Sequence, residues 1–291
     1  MKQKISVIGA GTMGTGIAQV AATYGSTVSL IDTSQEALER SRSSLHSVMN
    51  RLVEKEKLSL EESGEILSRI QWTSDIKSIS DSKLVIEAVI ENMAVKQKIF
   101  SDIESFVSNN CIISTNTSSL SVAGIASSCS NLTRIVGIHF FNPVPLMKLV
   151  EVVPVEQTDS DLIENVKSTL QSWGKTVVIA KDTPGFIVNR VARLFYGEAL
   201  RIYDEGLADF ATIDWAMKEF GGFKMGPFEL MDYIGNDVNY NATESVYIVQ
   251  TIIPVINRHP PRKRWWMKDC WVGNQGKDIM IIQMALQCHS Q

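Results

Sequence analysis

Ile5-Ser-Val-Ile-Gly9-Ala-Gly11-Thr12-Met13-Gly14 is the stretch from which the rest of the chain is read: a short apolar strand runs into a glycine-rich turn. The alanine-rich residues 13–24 have helical spacing, and residues 27–32, ending in Asp32, form a second apolar strand. Strand, turn, helix and strand make a βαβ unit. Each glycine has separate work in such a unit. One makes the tight turn, one lets the backbone approach a pyrophosphate, and one lets the helix pack closely on the strand. The N–H groups that open the helix then face the phosphates, where the helix dipole favours negative charge.

Asp32 follows the turn by about twenty residues, where a carboxylate accepts from both ribose hydroxyls of a dinucleotide. It would repel a 2′-phosphate, and the next residues, Thr33 and Ser34, supply no Arg to hold one. The expected cofactor is NAD rather than NADP, held by Gly9, Gly11, Thr12, Met13, Gly14 and Asp32.

Composition sets the limits around this unit. The 291 residues are 44% hydrophobic and 21% charged, enough for one large domain or two modest ones. A net charge of -4 argues against nucleic acid as a partner, since phosphate binding favours an excess of Lys and Arg. The first residues enter the strand pattern directly, with no long apolar run and no Arg-rich leader, so a cytoplasmic chain that does not engage membranes is expected. Cys111, Cys129, Cys270 and Cys288 are scattered, without metal-ligand spacing or a disulfide framework.

Beyond the βαβ unit, residues 34 to about 68 are polar and helix-periodic, with charge crowded into Arg51-Leu-Val-Glu-Lys-Glu-Lys57, and read as a helical hairpin inserted at about 34–70. Apolar runs at 84–87, 111–114, 135–139 and 150–153 alternate with helical patterns, which implies a largely parallel sheet covered on both faces. A last strand, 176–180, ends at Lys181-Asp-Thr-Pro-Gly185, and residues 186–231 then read as wholly helical. The expected architecture is α/β: a Rossmann-type, doubly wound, mostly parallel sheet over 1–184, followed by an all-helical domain over 185–291.

His139 ends the strand Ile135-Val-Gly-Ile-His139 and leads into Phe140-Phe-Asn-Pro-Val-Pro145. Ligands of open α/β sheets bind outside the carboxyl ends of strands, so this His is placed for chemistry. A lone histidine beside aromatics is, however, more often a hydrogen-bonded structural residue. Further motifs add to it. Asn116-Thr-Ser-Ser-Leu120, Gly137-Ile-His-Phe-Phe-Asn-Pro143, Met147-Lys-Leu-Val-Glu151 and Asp182-Thr-Pro-Gly-Phe-Ile-Val-Asn-Arg190, taken in order with the glycine turn, closely resemble the 3-hydroxyacyl-CoA dehydrogenase family from residue 1 to about 246.

The resemblance implies NAD-dependent oxidation of an (S)-3-hydroxyacyl-CoA. By position it makes His139 the general base and Glu151 its partner, with Ser118 and Asn189 as hydrogen-bonding groups around the reacting oxygen. It also places Glu91, Lys96, Ser118 and Asn142 near the cofactor, and Lys55 with Lys96 near the CoA. Met225-Gly-Pro-Phe-Glu-Leu-Met231 resembles part of the family's second domain and reads as packing rather than catalysis; in the family the region after about 247 completes that domain and supports dimerisation, so a homodimer is expected if the domain folds. No metal is expected.

After about Tyr247 the family-like text stops. One set of codons for Lys277-Asp-Ile-Met-Ile-Ile282 spells Gly-Tyr-Tyr-Asp-Tyr in another frame. Codons for Thr251-Ile-Ile-Pro-Val-Ile-Asn-Arg-His-Pro260 conceal Tyr-Tyr-Pro-Arg-Tyr-Lys-Pro-Ser in that same frame. Both are similar to the family's ending, and the hypothesis is a shifted reading frame near residue 247; resequencing that finds one uninterrupted frame with unrelated codons would refute it. Two other functions stay open on the residues alone. One is a dehydrogenase of a CoA-free hydroxy acid, separated by loss of turnover when CoA is removed from the substrate. The other is an inactive NAD-binding or structural protein, against which the set His139, Glu151, Ser118 and Asn189 weighs.

Overall fold

The computed structural model describes residues 3–250 and divides the chain into two compact units, one up to Phe186 and one from Ile187. The shifted-frame hypothesis falls almost wholly outside the described residues.

The first unit is built on eight strands: β1 (Lys4–Ile8), β2 (Thr27–Ile31), β3 (Ile70–Thr73), β4 (Leu84–Glu87), β5 (Ile112–Thr115), β6 (Ile135–Phe140), β7 (Leu149–Pro154) and β8 (Thr176–Ile179). They form one sheet in the order β3-β2-β1-β4-β5-β6-β7-β8. All neighbours are parallel except β6 and β7, which run antiparallel. The expected strands are present with ends shifted by a residue or so. Edge strand β3 and the antiparallel return of β7 are additions to the expectation. Ile70-Gln-Trp-Thr73 alternates apolar and polar residues, but four residues are too few to be told from the end of the preceding helix by periodicity.

The helices of this unit are α1 (Thr12–Thr23), α2 (Gln35–Glu54), α3 (Leu60–Ser68), α4 (Met93–Phe106), α5 (Val122–Ala126) and α6 (Ser160–Ser172). Several begin where the sequence supplies an acceptor for orphan N–H groups. Ser34 accepts from Ala37 at the start of α2, and Ser59 with Glu62 forms a reciprocal capping box at α3. One face of the sheet buries Val7, Leu30, Ile86, Ile138 and Val152 against α1, α2 and α6. The other buries Val85, Ile113, Ile135 and Val153 against α4 and α5.

The second unit contains α7 (Val188–Asp204), α8 (Phe210–Glu219), α9 (Pro227–Ile234) and α10 (Asn236–Gln250). Its described core is Tyr196, Ala199, Ile213, Phe228 and Met231. Among the described residues no helix is long and apolar enough to cross a membrane, and no cluster of His, Cys, Asp and Glu could hold a metal.

Candidate active site

The carboxyl ends of the strands form a crest, and its first part is made of backbone. Gly9 has φ +106° and a side chain there would stand 2.5 Å from the Ala88 carbonyl oxygen, so the turn admits only glycine. A Cβ on Gly14 would lie 1.8 Å from the Gly9 carbonyl oxygen, which fixes how closely α1 packs on the turn. Gly11 differs: a Cβ there meets no protein atom within 4 Å. Any need for glycine at that position comes from what approaches the turn.

α1 opens on Gly11 with no side-chain cap and no acidic residue in its first turn, so its N–H groups and dipole remain available to an anion. Asp32, just past β2, accepts from the Ala10 amide at 2.8 Å and the Ser34 amide at 2.9 Å. These two bonds hold the carboxylate beside the turn, and each oxygen keeps a further lone pair for a hydroxyl. The residues present fit a dinucleotide whose ribose bears both hydroxyls. Thr12 is exposed at the start of α1, and Met13 packs on the core beneath.

The second part of the crest is made of side chains. His139 and Glu151 are direct cross-strand partners in the antiparallel β6–β7 ladder, so they project from the same face. His139 Nδ1 and Glu151 Oε2 are 2.7 Å apart, and both residues are buried. A buried carboxylate accepts, so the ring presents Nδ1–H to it, and in the neutral form of the ring Nε2 carries the lone pair. Phe141 and Phe186 pack on the imidazole with ring centroids 4.4 and 5.6 Å away, leaving it few alternative orientations.

Between these parts lies the loop after β5 that carries Ser118. Glu91 gathers it: one carboxylate oxygen accepts from Thr117 Oγ1 at 2.7 Å and from the amides of Ser118 and Ser119 at 2.8 and 3.0 Å. Burial pushes the Glu91 carboxyl up, but Lys96 and the hydrogen bonds from Thr117, Ser118 and Ser119 outweigh it and hold the group below its usual value. Lys96 is itself buried on α4, its ammonium 2.7 Å from Glu87 and 3.3 Å from Glu91. Asn142 is exposed in the β6–β7 connection, joined to Pro143 by a cis peptide bond. Lys55 is exposed at the end of α2, and Asn189 stands in the first turn of α7 in the second unit.

Family models match nearly the whole described chain: the NAD binding domain of 3-hydroxyacyl-CoA dehydrogenase over residues 4–183 and its C-terminal domain over residues 185–264. The chain belongs to the 3-hydroxyacyl-CoA dehydrogenase family. A 3-hydroxyadipyl-CoA dehydrogenase of Escherichia coli (strain K12) is 44% identical over 84% of this chain and 52% of its own length. This chain therefore spans about half of that relative. The mitochondrial hydroxyacyl-coenzyme A dehydrogenase of Sus scrofa is 41% identical over 80% of this chain and 76% of its own. The crystal structure of an (S)-3-hydroxybutyryl-CoA dehydrogenase from Ralstonia eutropha superposes with a TM-score of 0.82 at 36% identity, covering 86% of this chain and 89% of that one.

Within this 3-hydroxyacyl-CoA dehydrogenase scaffold the structure gives positions and partners to residues that have no individual role in the sequence. Asn116 accepts from the Phe140 amide at 2.9 Å through its side chain, tying the end of β5 to the strand that carries His139. Lys175, buried before β8, donates to the carbonyls of Val144 and Met147 at 2.5 and 2.8 Å, and so braces the loop after Asn142. Asp182 accepts from Ser121 Oγ and the amides of Val122 and Ala123, fastening the segment after the Ser118 loop. Glu87 is buried completely at the end of β4. A charged residue closing an apolar run, Leu84-Val-Ile-Glu87, is the sequence signal that could have marked it.

Proposed function

We propose that the chain is an NAD-dependent dehydrogenase that interconverts a short (S)-3-hydroxyacyl-CoA, such as 3-hydroxybutyryl-CoA, and the matching 3-oxoacyl-CoA in either direction. The observation that carries this reading is the buried His139–Glu151 pair, on the same crest as a glycine turn and Asp32 fitted to NAD. NAD, when bound, supplies the acceptor for the hydride that leaves C3. The chain's own part is the proton and the oxygen.

With Nδ1–H directed at Glu151, His139 keeps the Nε2 lone pair for the C3 hydroxyl proton, and Glu151 balances the charge that the ring gains. Ser118 and Asn189 provide hydrogen bonds to the oxygen as it acquires alkoxide character. In the opposite direction the protonated ring returns its proton to the 3-oxo oxygen. Gly9, Gly11, Thr12, Met13, Gly14 and Asp32 hold the nucleotide, with Glu91 and Asn142 on the cofactor side. Lys55, an exposed flexible cation, is the proposed contact for the CoA phosphates. The ion pairs of Lys96 favour a role beneath the Ser118 loop over direct contact with CoA. A homodimer, in line with the family resemblance, completes the reading.

The test is NADH consumption with acetoacetyl-CoA, set beside free acetoacetate, for this chain and for a version with the alternative frame restored after Tyr247. The expected result is turnover that needs the CoA. Turnover in the restored version alone keeps the chemistry and assigns the damage to the tail, turnover of acetoacetate moves the reading to a CoA-free substrate, and silence in both overturns it.

A further inference from the structure

Glu87, Thr115, His139 and Glu151 share one sheet face, since they keep the parity of Val85, Ile113, Ile135 and Val153, which are buried against α4 and α5. Three of these lie beneath the proposed site or form part of it, whereas Glu87 lies two strands away from β6 and has no role in the mechanism above. Its bonds show what it holds. One oxygen accepts from Lys96 Nζ and from the Val89 amide, each at 2.7 Å, and the other accepts from Thr115 Oγ1, also at 2.7 Å.

The Ser118 loop has an unusual source of order. Its four consecutive amides, 117 to 120, all donate to side-chain oxygens: Thr115 Oγ1, Glu91 twice, and Thr117 Oγ1. The loop therefore takes its shape from those acceptors and not from a backbone ladder. A hydroxyl has one proton to give. Thr115 gives its proton to Glu87 and Thr117 gives its proton to Glu91, so each threonine turns a lone pair to the amide it receives. Both chains of bonds end on a carboxylate, and Lys96 joins the two carboxylates from below.

We infer that Glu87 is a positioning residue for the Ser118 loop, acting through Thr115 on the first amide and through Lys96 on Glu91. A buried ammonium needs its counter-charges. Without Glu87, Lys96 keeps a long bond to the Val89 carbonyl at 3.5 Å and has Glu91 as its remaining counter-charge, and so draws that carboxylate away from the amides of Ser118 and Ser119. Gln at position 87 keeps the shape, but with its oxygen on Lys96 it turns an N–H toward Thr115 and reverses the hydroxyl that Thr117 reads. The role of Ser118 in this inference rests on the proposed function; the ordering of the loop does not.

Hydrogen exchange of the peptide covering residues 114–121 tests the ordering on the chain alone. Glu87→Gln should speed exchange of the loop amides by about tenfold or more while the peptides of β1 and β6 keep their rates. Turnover of acetoacetyl-CoA tests the consequence: Glu87→Gln should lower kcat by about tenfold in the otherwise unchanged chain and by less than about twofold beside Ser118→Ala, because a displaced loop no longer matters once the hydroxyl is gone. Unchanged exchange, or an equal loss of kcat in both backgrounds, overturns the inference. Faster exchange in a chain that fails to reduce acetoacetyl-CoA upholds the positioning role and refutes the proposed substrate instead. Should Glu87→Gln not fold, Thr115→Val decides by the same exchange measurement, with loss of protection expected at the Thr117 end of the loop.

Discussion

The two parts of the crest solve the same problem with different material. At β1 and β2 the surface proposed to face the ligand is backbone, made possible by missing side chains at Gly9, Gly11 and Gly14 and steadied by Asp32. At β5, β6 and β7 it is side chain upon side chain: Glu151 under His139, Glu91 and Thr115 under the Ser118 loop. The first part tolerates no added atoms beneath the turn, whereas the second tolerates no lost ones. A pyrophosphate asks for many equivalent N–H donors, which backbone supplies without ordering side chains. Proton transfer asks for one atom in one protonation state, which a buried partner must fix.

The comparison breaks most readily at Gly14. Gly14→Ala drives a methyl group into the Gly9 carbonyl, and NADH binding, followed by fluorescence titration, should fall below detection. Gly11→Ala sharpens the same point, since it touches no protein atom: the melting temperature should stay unchanged while NADH affinity drops by about tenfold, roughly 1.4 kcal/mol. Equal behaviour of the two variants would mean that the turn is only a packing element.

On the side-chain part, His139→Gln should lower turnover of acetoacetyl-CoA by at least about a hundredfold and leave NADH affinity nearly unchanged. Unchanged turnover would remove His139 from the reaction. Asp32→Ala lies between the two parts in kind, a side chain serving the backbone site. It should weaken NAD by about tenfold and narrow its advantage over NADP, and an equal loss for both cofactors would undercut the ribose role.

The smallest expected effect is chemical. Burial pushes the Cys111 thiol up to about 11, and burial with the nearby Glu104 carboxylate pushes Cys129 up to about 11 as well. A raised thiol pKa means little thiolate below it, so neither residue should be alkylated by iodoacetamide in the native chain at about pH 8. Rapid labelling of either would show the second face of the sheet to be open.

How much of this the sequence disclosed follows the same division. The backbone site was legible because its requirements are local: glycine spacing between a strand and a helix, and a carboxylate at the end of the next strand. The side-chain site depends on which strands lie side by side. His139 and Glu151 are twelve residues apart and meet because β7 returns antiparallel, a pairing that the alternation of strands and helices did not reveal. Their partnership was available only from the family resemblance. Glu87 and Asn116 were missed for the same reason, since each acts across strands. The strand β3 was missed because its alternation runs for four residues only, directly after a helix.

Glu151→Gln, with NADH affinity and acetoacetyl-CoA turnover measured on one preparation, tests the division between the two parts most directly. Gln keeps the size and can still accept from Nδ1, so the change removes mainly the charge that balances the ring. NADH affinity within about twofold of the unaltered chain, with turnover down by about a hundredfold, is the predicted result. Loss of both in equal measure, or of neither, would contradict the division between a backbone part that holds the cofactor and a side-chain part that moves the proton.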